Sequence, residues 1–471
     1  MALKFTFLLN ILLVVSCATV PVKKDAAFSF AVEAVEGKNY LNGAGAAWHF
    51  IDTSTPDDPR YDRGLRLLAR SVEGLDLTWA AGMVYRQIAQ ARRNMEIVPD
   101  AIRSIERIIK IGSYDEDMLL TSFIASEEFG NLPQNEQAFI DFYRALDLTR
   151  RGNDIWADKI FSALPQGSPY VAEAEFVHQV RLVAEGQYTA AIKGLKELNS
   201  RDNLLSEQKN KVMRTLARIA FEERRFDDAL VYFESLRKLA QDDPEILLEM
   251  AWTHYYMGDS RKTLGLLIAL DAPVHRKFIS PERYLLEALA LRRLCQFGAA
   301  RNAAIRLEHK YQESFDALSA GQLPTEIEQL RDAATYRGKS KRNANHLANL
   351  RSQAALLKKI KSKTSEGLYH FLNTLYAKGL YEAKLRFESD LVPDMENLAD
   401  ELLSAREGVR LIIHELGVSL LRGRRRPPGA QEKPAVAVPL TGDKVFYEFG
   451  GEYWTDEIDD LIVIAEDRCI D

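Results

Sequence analysis

Five stretches of this 471-residue chain repeat one pattern, and that repetition restricts the fold more than any other feature. Each joins an apolar helix-forming segment to a small or polar turn. A second segment then follows, usually opening on an aromatic residue with an alanine soon after. The stretches read "LDLTRRGNDIWADKIF" (146–161), "LVAEGQYTAAIKGL" (182–195), "IAFEERRFDDALVYF" (219–233), "HYYMGDSRKTLGLL" (254–267) and "ALRRLCQFGAARNA" (290–303). The alanine-like position falls on Ala157, Ala191, Ala229, Thr263 and Ala300, at intervals of 34, 38, 34 and 37 residues. A unit of that length cannot bury its apolar face alone, so stacked antiparallel helix pairs are expected over residues 140–312.

The pattern resembles the tetratricopeptide repeat, a unit of about 34 residues built from two antiparallel helices. Gly186 and Gly258 match its turn glycine. Tyr188, Phe226 and Phe297 match the aromatic before the second helix, and Ala191, Ala229 and Ala300 the small residue where the helices cross. Pro244 and Pro281 stand at helix starts, with Glu245 and Glu282 in the first turn, where a carboxylate faces exposed amides. Arg225 stands in for the turn glycine of one unit and Thr263 for the alanine of another. The resemblance implies an all-α fold, a tetratricopeptide-like α-solenoid with a concave groove lined by first-helix residues. Glu185, Arg218, Glu222, Glu249, Trp252, Tyr256 and Arg292 are the candidates for that partner groove.

Residues 29–139 are helical by pattern but irregular, and are read as divergent helical pairs or a packed cap. Leu65, Leu68 and Val72 share one helical face, and "MLLTSFIASEEFG" (118–130) supplies a further helix. "YLNGAGAAWHF" (40–50) contains glycine but lacks the GK[ST] ending and preceding strand of a phosphate loop. Past Leu323 the repeat fades into long helices over 324–423, with separate segments at 367–391 and 394–423. Leu347, Leu350, Ala354 and Leu357 share one face there. A proline-rich linker follows at 424–440, then an acidic, aromatic tail at 441–471 with strand-like "KVFYEF" and "LIVIAE".

Charge is unevenly spread. Nine basic residues and no acidic one lie from Arg337 to Lys363, whereas ten Asp or Glu face only Lys444 and Arg468 beyond Thr441. Two readings follow. The tail folds back over the basic helices and neutralises them, or the basic face binds an anionic partner such as phospholipid headgroups or cell-wall polymer. The net charge of -6 counts against nucleic-acid binding.

The first 16 residues, MALKFTFLLNILLVVS, place one cation before an apolar stretch too short to span a bilayer. Ser16 then precedes Cys17 in "LLVVSCATVPV", which resembles the bacterial lipoprotein lipobox. The resemblance implies removal of residues 1–16, acylation of Cys17, anchoring in the lipid bilayer by several acyl chains, and a tether over 17–28. Ala18 after the cysteine implies an outer-membrane, periplasm-facing destination. With Cys17 acylated, Cys295 and Cys469 are the remaining cysteines, and an oxidising compartment would pair them.

No CxxC, GxSxG or Walker motif occurs. His414 in "LIIHELGVS" lacks a second histidine one turn on, because position 418 is Val418, so the zinc-protease pair is missing. "DEIDD" (456–460) lacks the spacing and glycine of a calcium loop. No catalytic residue, metal ligand or cofactor is expected. The close of the chain, "GEYW" before a final cysteine, resembles large tetratricopeptide lipoproteins and periplasmic proteins of predatory and gliding bacteria of myxobacterial type. That resemblance implies a non-enzymatic part of an envelope assembly, in some relatives a motility machine. The function expected is therefore a membrane-anchored scaffold holding envelope proteins in the groove. One alternative is an accessory protein touching peptidoglycan through the basic helices. Another is a divergent hydrolase with its site around His414.

Overall fold

One kind of helix ending recurs eight times among the described residues of the computed structural model of the chain. Lys38, Asp76, Gly152, Gly186, Arg224, Gly258, Cys295 and Gly321 each follow a helix with φ between 53° and 81°, in the left-handed region. At every one, the next residue's amide donates back across six residues: Asn39 to Ala34, Leu77 to Val72, Asn153 to Leu148, Gln187 to Leu182, Arg225 to Ala220, Asp259 to His254, Gln296 to Leu291 and Gln322 to Ala317. These bonds measure 2.7–3.0 Å. This is the Schellman ending, which satisfies the last carbonyls of a helix and turns the chain sharply. Each such turn joins two consecutive helices.

The structure describes residues 23–111, 114, 120, 129–239, 243–275, 278, 280–421, 423, 426, 429–434, 451, 453 and 461–469. Among them every regular element is helical. The chain divides into two units, residues 1–147 with 345–385, and residues 148–344 with 386–471.

In the first unit, α1 (Lys24–Glu36), α2 (Tyr40–Asp52), α3 (Tyr61–Gly74), α4 (Thr78–Ala91) and α5 (Val98–Ile111) each pack on the next. The region read as irregular is thus built of regular hairpins, and α1 begins inside the stretch read as a tether. Leu65, Leu68 and Val72 are buried together with Ile102, Ile105 and Ile108. The glycine-bearing stretch at 40–50 is simply α2. Gln353 ties part of this unit together: its Oε1 accepts from the Trp79 amide at 2.9 Å and from Tyr376 at 2.8 Å. The expected helix at 118–130 lies almost wholly outside the described residues.

Helix α6 (Gln134–Arg150) leads into the second unit, where α7 (Asp154–Ser162) follows. There α8 (Tyr170–Ala184), α9 (Tyr188–Asn199), α10 (Ser206–Glu222), α11 (Phe226–Leu239), α12 (Pro244–Tyr256), α13 (Ser260–Ala269), α14 (Glu282–Arg293) and α15 (Phe297–Lys310) pack in consecutive order. The alanine-like positions Ala157, Ala191, Ala229, Thr263 and Ala300 are all buried, as close helix crossing requires. Thr263 is tolerated there because its hydroxyl donates to the Asp259 carbonyl at 2.8 Å. The turn residue of the third unit is Arg224, one position earlier than the expected Arg225; the left-handed site precedes the helix-opening residue by two positions, an aromatic at Tyr188, Phe226 and Phe297.

Helices α16 (Gln312–Ser319), α17 (Glu328–Ala334), α18 (Gly338–Lys359) and α19 (Glu366–Leu421) complete the α-helices of the described residues. The two segments expected at 367–391 and 394–423 are one helix, which continues through Pro393. Buried Leu391, Met395, Leu398, Leu402, Ala405, Val409, Ile412 and Leu416 alternate at spacings of four and three, and this seam holds the helix on both sides of the proline. Upstream of the proline, the Asp390 carbonyl accepts from Ser340 Oγ at 3.1 Å. The seam packs against Tyr284, Leu307, Tyr311 and Phe315, and further on against Ala288 and Leu291.

The end of the chain returns to α13 and α14. Cys469 is disulfide-bonded to Cys295, as expected for the two cysteines. Residues 461–469 form no strand; "KVFYEF" lies outside the described residues. The reading that the acidic tail covers the basic helices falls largely on residues 441–460, of which only 451 and 453 are described. Over 461–469, Val463 N donates to the Arg261 carbonyl, Arg261 Nε to the Ala465 carbonyl, Gln296 Nε2 to the Glu466 carbonyl, and Arg468 N to the Leu294 carbonyl. A Cβ at Gly265 would collide with the Leu461 carbonyl, so only glycine lets the tail come this close to α13. Upstream, Lys433 N donates to the Gly258 carbonyl, and Glu432 accepts from Ser260 N at 3.0 Å and Ser260 Oγ at 2.7 Å.

Candidate protein-binding site

Helices α10 and α12 are the first helices of neighbouring hairpins, and their side chains meet in a row. Arg214, Arg218 and Glu222 recur every four residues on α10, and Glu245, Glu249, Trp252 and Tyr256 recur at four, three and four on α12. Arg214 pairs with Asp243 at 2.5 Å and reaches Glu245 at 3.5 Å; Arg218 Nε donates to Glu249 at 2.7 Å. Burial pushes the Glu249 carboxyl above its usual value, against the pull of Arg218. The row continues into an aromatic step. Tyr256 stacks on Phe226 with ring centroids 5.6 Å apart and planes 8° apart, touches Phe221 edge-on at 5.6 Å, and lies 5.9 Å from Trp252. Trp252 packs inward against the core, whereas Tyr256 remains 54 % exposed.

Five of the seven groove candidates, Arg218, Glu222, Glu249, Trp252 and Tyr256, therefore share one continuous surface. Glu185 does not join it: it follows α8, is exposed, and accepts from Gln187 at 2.9 Å. Arg292 lies further along, on α14, where it is covered by α19 through an ion pair with Glu415 at 2.5 Å. Two turns back, Leu285 packs against Gly408, where a Cβ would lie only 2.9 Å from it. The face of α14 is thus occupied by one of the chain's own helices, seated through an apolar contact and a charge pair. Arg214, Phe221 and Phe226, all half-buried, also belong to this surface. Their signal was present in the four-residue spacing from Arg214 to Arg218 and in the position of the helix-opening aromatic.

A cavity of about 420 Å³ lies elsewhere in this unit, between α13, α14, α15 and Val463. Its charged groups are already paired, Arg283 with Asp271 and Arg306 with Glu287. His414 is exposed on α19 and does not line that cavity. No group of three or more metal-ligating side chains occurs among the described residues, and none of their helices is long and apolar enough to cross a membrane. No protein-family model matches the chain, and no curated protein matches it.

Proposed function

We propose that this protein is a membrane-anchored, periplasm-facing scaffold, a tetratricopeptide-like lipoprotein that binds envelope proteins on the first-helix face of α10 and α12. The observation that carries the reading is the seating of α19 on α14. The chain uses the same kind of face, one hairpin further on, to hold an amphipathic helix by apolar contact and a charge pair. The neighbouring surface offers comparable chemistry, an exposed tyrosine on an aromatic step beside a charged row. Cys17 and the apolar leader before it support anchoring, and the bond between Cys295 and Cys469 is in keeping with an oxidising compartment.

Two measurements test it. A photo-crosslinking residue in place of Tyr256 should give discrete envelope-protein adducts in cells. The same residue at Ile305, an exposed site on α15, should not, and Arg218→Glu should abolish the Tyr256 adducts. Equal labelling from both sites would remove the groove from the proposal. Membrane fractionation with intact mass, native beside Cys17→Ala, tests the anchor. Membrane release of the variant supports it; native protein that is soluble and unacylated refutes it.

A further inference from the structure

We propose that the basic face around Arg351 to Lys363, in the first unit, docks on anionic phospholipid headgroups. Leu347, Leu350, Gln353 and Leu357 form the buried row of α18 here, while Arg351, Ser352, Ala355, Lys358 and Lys359 form the exposed one. Lys361 and Lys363 extend that exposed charge past the helix end, so five cations occur within 13 residues with no carboxylate among them. The first acidic residue beyond is Glu366.

The contrast with the rest of this unit is what singles the face out. There, cations are neutralised across neighbouring helices: Arg66 by Asp100 at 2.5 Å, Arg93 by Asp62 at 2.7 Å, Arg103 by Glu136 at 2.5 Å and Arg107 by Glu73 at 2.6 Å. Among the described residues, none of the five cations of the basic face makes an ion pair. Lys361 rests its ammonium 5.1 Å from the centre of the half-buried Tyr369 ring. A row of like charges on one helix edge is electrostatically unfavourable by itself and is relieved by an external anion.

The form of the face selects the anion. Four of the five cations are lysines, hydrated point charges on flexible stems, spread along one exposed row. Such charges suit a surface of laterally mobile phosphates better than a single ordered ligand. An amphipathic tyrosine beside them suits the headgroup boundary. The inference stands independently of acylation at Cys17.

The test uses full-length Cys17→Ala protein, so that no acyl chain contributes, with vesicles of phosphatidylcholine containing zero to 30 mol % phosphatidylglycerol (about the range over which surface charge builds up). Neutral vesicles fix the contribution of the apolar leader. Binding should rise steeply with anionic lipid and collapse at high salt. Changing Lys358, Lys359, Lys361 and Lys363 together to Gln should weaken it by roughly a hundredfold, and changing the same four to Arg should preserve it. Equal binding to neutral and anionic vesicles, or an undiminished Gln variant, overturns the inference. So does capture of soluble polyphosphate by this face with no gain on anionic vesicles, which would identify a phosphate polymer as its ligand. The lipid and salt dependence of the lysine-bearing protein decides the matter even if the Gln variant does not fold.

Discussion

His254 lies near the end of α12 with its imidazole largely out of water. Burial pushes its pKa down to about 4 from an ordinary 6.5, opposed by Asp259 at 3.9 Å and assisted by Lys262 and Lys433. The folded protein therefore refuses a proton that the unfolded chain accepts. The neutral imidazole costs nothing above pH 6.5, and stability falls as the pH drops from there toward 4. Over that window the loss attributable to His254 is about 3 kcal/mol. Leu291 holds the corresponding place in the next hairpin, since both carbonyls receive the same turn amide. His254→Leu should fold and should flatten the acid limb of a urea-denaturation series between pH 7.5 and 4.5. Parallel limbs for the two proteins would mean that the histidine is not the acid-sensitive group. The residue scale also explains what the sequence concealed. Four of the eight left-handed turn residues are Lys38, Asp76, Arg224 and Cys295, none of them glycine. A reading keyed to turn glycines sees Gly186 and Gly258 and passes over Lys38 and Asp76, so the first hairpins looked irregular.

At the scale of elements, α13 begins with two acceptors. Asp259 caps it locally, taking the Lys262 amide at 3.0 Å, and Glu432 supplies a second carboxylate from 172 residues downstream. Glu432 is buried, and burial pushes its carboxyl above the ordinary value, so its bonds to Ser260 replace the water it has lost. Glu432→Ala should cost about 1–2 kcal/mol and speed hydrogen exchange at Ser260 and over residues 430–434. Unchanged exchange there would mean the cap contributes nothing. Helix α19 was legible in part. Its seam of fours and threes is plain in the sequence, but Pro393 argues for a break between two helices. The break is absent because Leu391 and Met395 are buried on either side, and packing outweighs one missing amide. The charged row of the candidate site was legible from helical spacing, whereas the covering of Arg292 by α19 was not, since it depends on a contact across 123 positions of chain.

Across the whole molecule, the period of the hairpins was the most readable property, because it is written in residues whose size alone matters. Buried small residues recur where helices cross, and the structure keeps all five. The path of the chain's end was not readable from periodicity. It is fixed by Gly265, Arg261, Gln296 and the disulfide, four separate features with no spacing in common.

That disulfide has a mechanical consequence. Its two sulfurs are 174 residues apart in sequence, so α15 to α19 lie inside a covalently closed ring. Tension applied between the chain's ends would be carried past the ring through a single sulfur–sulfur link, and the helices inside would bear none of it until that link broke. Stretching the oxidised protein between handles at residue 23 and the end of the tail should yield a contour shorter by roughly 600 Å than stretching it reduced. Equal contours would mean that the link had not formed. A scaffold tethered at one end and loaded by its partners would in this way stretch only through its earlier hairpins, α1 to α14, and would hold its terminal helices in reserve.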